Sequence, residues 1–293
     1  MITAASWARA DDTLVCNQKL FHTLFSRAPS AAELVAPDPL SRVDQHLIHD
    51  EFRETFARFV NARFNWGPKE RRDENPVYNM VREYILGRDR PWRDLFTAQV
   101  DVVGQNVNSD ARAVGYFEGR YWKARYAGNE EDGYKLRTAY LIMNNIIGLN
   151  LEAITVTANG GSSRNDREDP DSVCYTCHVA ADFALDKVAR ILDRVDRSAS
   201  DAQNTIFTDA EGPAQVIYGE TIQDLRGLAE MLVERDDFDN NACRLAFAFV
   251  FGREEEGTEP ATFAGCLEVF RATGDIRDAV RHYLESDLFC PAR

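Results

Sequence analysis

The chain has 293 residues, 44% of them hydrophobic, with 34 Lys and Arg against 48 Asp and Glu, a formal net charge of -14. Such a chain is globular rather than disordered and can bury a substantial core, in one large domain or two modest ones. The acidic balance excludes nucleic acid and anionic membrane as main partners, because both reward a basic surface; it favours basic partners.

In chain order the apolar periodicity reads as helix after helix, with little of the alternation that marks strands. Leu14, Leu20, Phe21, Leu24 and Phe25 make a first stripe, and Ser30 with Glu33 is a capping-box signature. Leu47, Phe52, Phe56, Phe59, Val60 and Phe64 predict a longer helix with an aromatic face. Pro76 opens a shorter helix carrying Val77, Met80, Val81 and Tyr84, closed by Gly87. Residues 101–133, rich in Gly, Asn and aromatics, read as an irregular segment on helices. A strong helix carrying Leu136, Ala139, Tyr140, Met143, Ile146 and Ile147 follows. The polar stretch 158–173 is the natural break, giving an N-terminal helical region 1–157 and a second half 158–293. After it, Phe183, Leu185, Val188, Ile191, Leu192 and Val195 predict a helix. Three more are expected over 220–236, 239–251 and 260–273, with Gly252 and Gly274 as stops and Asp275 capping a last one to about Phe289.

Cys174-Tyr175-Thr176-Cys177-His178 carries the chemistry. Covalent c-type haem attachment needs two thiols spaced to add to the haem vinyl groups, and an adjacent histidine that reaches the iron. Cys174 and Cys177 are the expected thioether residues and His178 the proximal ligand, its ring oriented by an outer acceptor. A chance pentapeptide or a redox Cys-x-x-Cys is the competing reading, and the absence of a strand-rich βαβ context argues against the redox version. The remaining cysteines, Cys16, Cys243, Cys266 and Cys290, allow two disulfides in three connectivities, with a bridge expected among Cys243, Cys266 and Cys290; small buried apolar residues are the plainer alternative.

A sixth iron ligand from Met or His gives electron transfer, whereas an open site permits small-molecule binding or activation. Met143 is the first candidate, though a Met at that spacing is commonly core filler. Met231, on the face of Leu225, Leu228 and Leu232, is weaker. His49 is expected to share a face with Phe52, Phe56 and Phe59, and a core histidine with one hydrogen bond explains it equally. His46 and His49 together are too few ligands for a metal site. In the segment from Arg120 to Tyr126, one or more of Arg120, Lys123 and Arg125 are candidate partners for haem propionates, beside an aromatic ring on the macrocycle edge. The alternative is a solvated basic strip balanced by Glu130, Glu131 and Asp132. The acidic runs Glu254-Glu255-Glu256 and Asp166 to Asp171 could hold calcium, but neither matches an EF-hand loop and solvated loop is the better reading.

Three stretches of the second half resemble the C-terminal region of the planctomycete-type cytochrome c-like family: Cys174 to His178; Leu225 through Leu232 and Phe238 to Cys243 and on to Arg253; and Gly274 to Phe289. Residues Arg27 to Glu33 and the helix around Phe52 are similar to the family's N-terminal parts. The resemblance implies haem and helices and names no reaction. The chain departs from the family after His178, where Val179-Ala180-Ala181-Asp182-Phe183 replaces an Asp-Pro-Leu-Gly-like continuation.

The expected fold is therefore mainly α, many helices in two packed halves around one covalent c-type haem. The expected function is electron transfer by an exported monohaem cytochrome, periplasmic or extracellular, with a redox partner protein. No stretch approaches the roughly 20 apolar residues of a membrane span. Residues 1–25 lack a secretion-signal pattern, so an export signal is expected upstream. A haem enzyme or small-ligand sensor is the rival, kept open by a mass of 33.2 kDa for one haem. An assembly module tethered into a larger redox complex is the third class.

Overall fold

The computed structural model describes residues 4–65, 75–126, 136–151, 167–196, 206–208 and 212–290; within these, the side chains of residues 4–11, 120, 121, 124, 177, 194–196 and 206–208 are outside the description. The fold is mainly α, with three two-stranded antiparallel or hairpin pieces among the described residues. It divides into two compact units: unit 1 comprises Met1–Leu95, Val102–Asn108 and Asp239–Arg293, and unit 2 comprises Phe96–Asp101 and Ser109–Phe238. The expected cut at 157/158 thus falls within the range of unit 2, at residues outside the description, and both chain ends contribute to unit 1.

Unit 1 begins with α1 (Ala4–Phe25), followed by the short α2 (Ala31–Leu34), whose capping box forms as the Ser30/Glu33 spacing predicts. The expected helix across Leu47 to Phe64 is broken into α3 (Val43–Leu47) and α4 (Asp50–Phe64). His49 stands at the break as the N-cap of α4, its Nδ1 accepting the Glu51 N–H at 3.3 Å. This corrects its placement on the Phe face: the cap satisfies an amide that the helix start leaves orphaned. Pro76 opens α5 (Pro76–Asn79), continued by a π turn over Met80–Ile85. From the far end of the chain come most of α12 (Asp236–Phe251), α13 (Pro260–Thr273) and α14 (Ile276–Leu284). Gly252 and Gly274 stop two of them with φ of 68° and 66°, a region open to glycine at little cost.

Aromatic rings join early and late segments of unit 1. Phe249 on α12 lies 4.9 Å from Phe56 and 5.3 Å from Phe59 on α4, edge-on to both, and Phe56 meets Trp92 at 6.2 Å. Two disulfides lock the same unit: Cys16 with Cys290, Cα atoms 5.8 Å apart, and Cys243 with Cys266, 6.0 Å apart. One bridge lies among the three C-terminal cysteines as expected; the fourth cysteine, Cys16, takes Cys290 and ties the chain ends.

Of α6 (Asp94–Thr97), the last two residues belong to unit 2, as does most of the stretch read as irregular. The hairpin of β1 (Val100–Val103) and β2 (Asn106–Ser109) that follows has most of its residues, Val102–Asn108, in unit 1, whereas α7 (Arg120–Arg125) belongs to unit 2. The strong helix forms as α8 (Leu136–Ile147). The motif occupies α9, a helical turn Val173–Tyr175 running on as a π turn through Thr176–Ala180, followed by α10 (Leu185–Arg190). The helix expected to reach Val195 ends at Arg190, and Arg194–Asp196 (β3) pairs with Ile206–Thr208 (β4). The helix expected from 220 is preceded by a second hairpin, β5 (Gln215–Ile217) with β6 (Glu220–Ile222), and starts only at α11 (Leu225–Val233). The reason is the turn: Tyr218 and Gly219 both have positive φ, 50° and 82°, the primed geometry that matches strand twist. The last expected helix also stops early, at Leu284.

Candidate functional site

The site is assembled from two consecutive helices, the residue just before the first, and Arg167 upstream of it. Ser172 caps α9, its hydroxyl accepting the Cys174 N–H at 3.2 Å, and the π turn closes with the Ala181 N–H on the Thr176 carbonyl at 2.9 Å. Positions 174, 177 and 178 therefore lie within one turn of a continuous helical backbone. The motif is at the surface: Val173 is 65% exposed, Thr176 is exposed, and Cys174 is half-buried with a free thiol. The Cys177 side chain lies outside the description.

The loop after the motif brings the chain back under His178. The Ala184 N–H bonds the Ala181 carbonyl at 3.0 Å, and the Tyr218 N–H of the β5–β6 turn bonds the Asp182 carbonyl at 3.0 Å. Leu185, Val188 and Ala189 bury one face of α10, which packs on α8 and on α9. That packing fixes Asp186, in the first turn of α10, with its Oδ2 2.7 Å from His178 Nδ1. The other carboxylate oxygen, Oδ1, is 3.4 Å from Arg167 Nε. Asp186 and Arg167 are both buried, whereas His178 keeps 22% of its side chain exposed. A carboxylate can only accept, so the Nδ1 that meets it carries the proton. Nε2 is then the ring nitrogen with a lone pair to offer a metal.

A c-type haem would be held here by Cys174, Cys177 and His178, of which Cys174 and His178 have described side chains. The free thiol of Cys174 and an imidazole held through Nδ1, with Nε2 left to donate, are chemically consistent with such a group, which would supply a vinyl acceptor for the thiols and an iron for the imidazole. Asp186 and Arg167 were missed in the sequence. The signal for Asp186 was the one acid in the helical segment Leu185 to Leu192, eight residues beyond His178; Arg167 had none, standing in a polar stretch among other charges.

The other candidates stand on other elements. Met143 is fully buried on α8, which packs on α10, and Met231 is buried on α11, which also packs on α8. Lys123 is buried and ion-paired with Glu118 and, at 2.6 Å, with Asp193, so it is not part of a solvated strip; Glu130 to Asp132 lie outside the description. Arg125 is half-buried with its guanidinium 5.6 Å from the Tyr126 ring, and the Arg120 side chain is outside the description. Of the aromatic rings in that segment, Trp122 and Tyr126 are buried with Tyr116 and Phe117 in an aromatic core, ring centroids 5.0 to 5.7 Å from Trp122, and the Tyr121 side chain is outside the description.

His46 and His49 each have other contacts, His49 as the cap of α4. His46 packs edge-on to Phe21 and Phe25 at 5.3 and 5.4 Å, and burial lowers its pKa. The three glutamates at 254–256 face arginines: Glu254 pairs with Arg63, Glu255 with Arg244 and Glu256 with Arg253. Of the other acidic run, Glu168 pairs with Arg190 at 3.0 Å. Among the described residues no group of three or more His, Cys, Asp or Glu side chains comes together as a metal cage, and no helix is long and apolar enough to cross a membrane. No protein-family model, curated protein or solved structure matches the chain.

Proposed function

We propose that the chain is an exported monohaem c-type cytochrome that transfers electrons, with Cys174 and Cys177 as thioether residues and His178 as the proximal ligand. The observation that supports this best is the His178 ring. Its Nδ1 is held at 2.7 Å by a buried carboxylate, and its partly exposed remainder offers Nε2 to a metal. Metal-ligating histidines are ordinarily oriented in this way by a second partner. The free thiol of Cys174, beside two bridged cysteine pairs, adds chemical consistency. Those two bridges support the exported half of the reading, since disulfides persist in oxidising compartments, where c-type haem is also attached. The resemblance to planctomycete-type cytochrome c-like proteins points the same way.

A bound haem would supply one-electron chemistry at its iron. The chain's own residues hold and tune it: two cysteines tether, His178 ligates, Asp186 orients the imidazole and Arg167 balances Asp186. Met143 is the proposed sixth ligand. The net charge of -14 favours a basic redox partner.

One observation favours the second reading, a haem enzyme or small-ligand sensor with an open distal face. A carboxylate behind the imidazole makes it a stronger donor, and donating proximal ligands favour cleavage of bound O–O bonds. Optical and resonance Raman spectra of the haem-loaded protein separate the two. Low-spin spectra in both oxidation states, turned high-spin by Met143→Ala, support the electron carrier. A high-spin ferric spectrum that changes with cyanide or peroxide supports the enzyme or sensor, and a colourless protein from a haem-maturing host refutes both.

A further inference from the structure

Resting on that haem-binding reading, we propose that Asp186 and Arg167 are positioning residues that act in opposite directions on His178, Asp186 strengthening its donation to iron and so favouring the oxidised state, Arg167 restraining that effect. The geometry is unequal. The contact from Nδ1 to Oδ2 is 2.7 Å, in the range of a charge-assisted hydrogen bond, whereas Arg167 Nε reaches Oδ1 only at 3.4 Å. The carboxylate's charge is therefore directed more at the imidazole than at the guanidinium. Both Asp186 and Arg167 keep only 9% of their side-chain surface exposed, so solvent screens the charges weakly.

Burial of the pair also argues for a role in the site rather than in stability. Replacing a buried ion pair with well-packed apolar residues is often neutral or stabilising. Unit 2 nonetheless places this one beneath His178, on a helix whose neighbouring positions Leu185, Val188 and Ala189 are all apolar and buried. A neutral acceptor would orient the ring equally well; a carboxylate in addition pushes electron density through it toward the metal. The donor that reduces this cytochrome must accordingly be a stronger reductant than one serving a histidine held by a neutral acceptor.

The test is potentiometric titration of the haem-loaded full chain as Asp186→Asn, Asp186→Glu and Arg167→Gln, with haem attachment checked by mass. Asp186→Asn is expected to shift the equilibrium about tenfold toward the ferrous state, a rise of about 59 mV for one electron. Arg167→Gln shifts it the other way, and Asp186→Glu returns it toward the parent value. A merely structural role would move Asp186→Asn and Arg167→Gln in the same direction, or neither, and either result overturns the proposal. If Asp186→Asn does not fold, the downward shift of Arg167→Gln decides alone. A parent protein without haem would instead overturn the reading on which this rests, so the two failures are distinct.

Discussion

The bridge between Cys16 and Cys290 closes nearly the whole chain, with a sequence separation of 274, against 23 for Cys243 and Cys266. In the chain-entropy view a cross-link stabilises by removing freedom from the unfolded ensemble, and the gain grows with the logarithm of loop length. For these two separations it amounts to about 5 to 6 kcal/mol and about 3 to 4 kcal/mol at 25 °C. The long bridge also pins α1 beside the segment after α14, where Lys19 Nζ bonds the Phe289 carbonyl at 2.9 Å and lies over its ring. The double variants Cys16→Ser/Cys290→Ser and Cys243→Ser/Cys266→Ser each remove one bridge without leaving an odd thiol. Guanidinium unfolding gives the two losses, and hydrogen exchange of peptides from α1 and α14 locates them. The first pair should cost about 2 kcal/mol more than the second and should speed exchange in α1. An equal or smaller loss for the long bridge, or unchanged exchange in α1, would refute the reasoning that the termini depend on it.

Glu33 is held down to about 2, first by the hydrogen bond from Arg27 and further by bonds from Ser30, against an ordinary 4.5. Its folded value is depressed, so its contribution to stability is present above about pH 4.5 and is lost as pH falls toward 2. Glu33→Gln should flatten stability against pH in that window, measured as unfolding free energy; a parent-like acid slope would refute the link. At Gly265 an added Cβ would sit 2.6 Å from His282 Cε1, a ring tied by its Nε2 to the Thr262 carbonyl at 2.8 Å. Gly265→Ala should therefore cost about 1–3 kcal/mol in thermal or denaturant unfolding. The same change made in a His282→Ala background should cost measurably less, and equal costs would show that the clash is not the cause.

Much of the helical framework was legible because the apolar residues keep helical spacing and the caps are conventional ones. The strong helix at 136–147, the capping box at Ser30 and Glu33, and the stops at Gly252 and Gly274 all depend on local signals. The hairpin before α11 was not, since its turn is Tyr218-Gly219 rather than the Asn-Gly that advertises such a geometry. The break at His49 was hidden because a capping histidine interrupts the helix without disturbing its apolar rhythm. Composition of unit 1 from both chain ends rests on contacts such as Phe56 with Phe249, which no local pattern encodes. In the candidate site, the pentapeptide is visible in the sequence as a motif, while Asp186 and Arg167 depend on how the chain folds back after Ala181.

The most direct test of a covalently bound haem is the intact mass of the full chain, denatured after expression in an export-competent, haem-maturing host. Covalent attachment predicts the mass of the chain plus one haem, with Cys174 and Cys177 both refractory to alkylation. A colourless protein at the mass of the bare chain, with Cys174 open to alkylation, would contradict it.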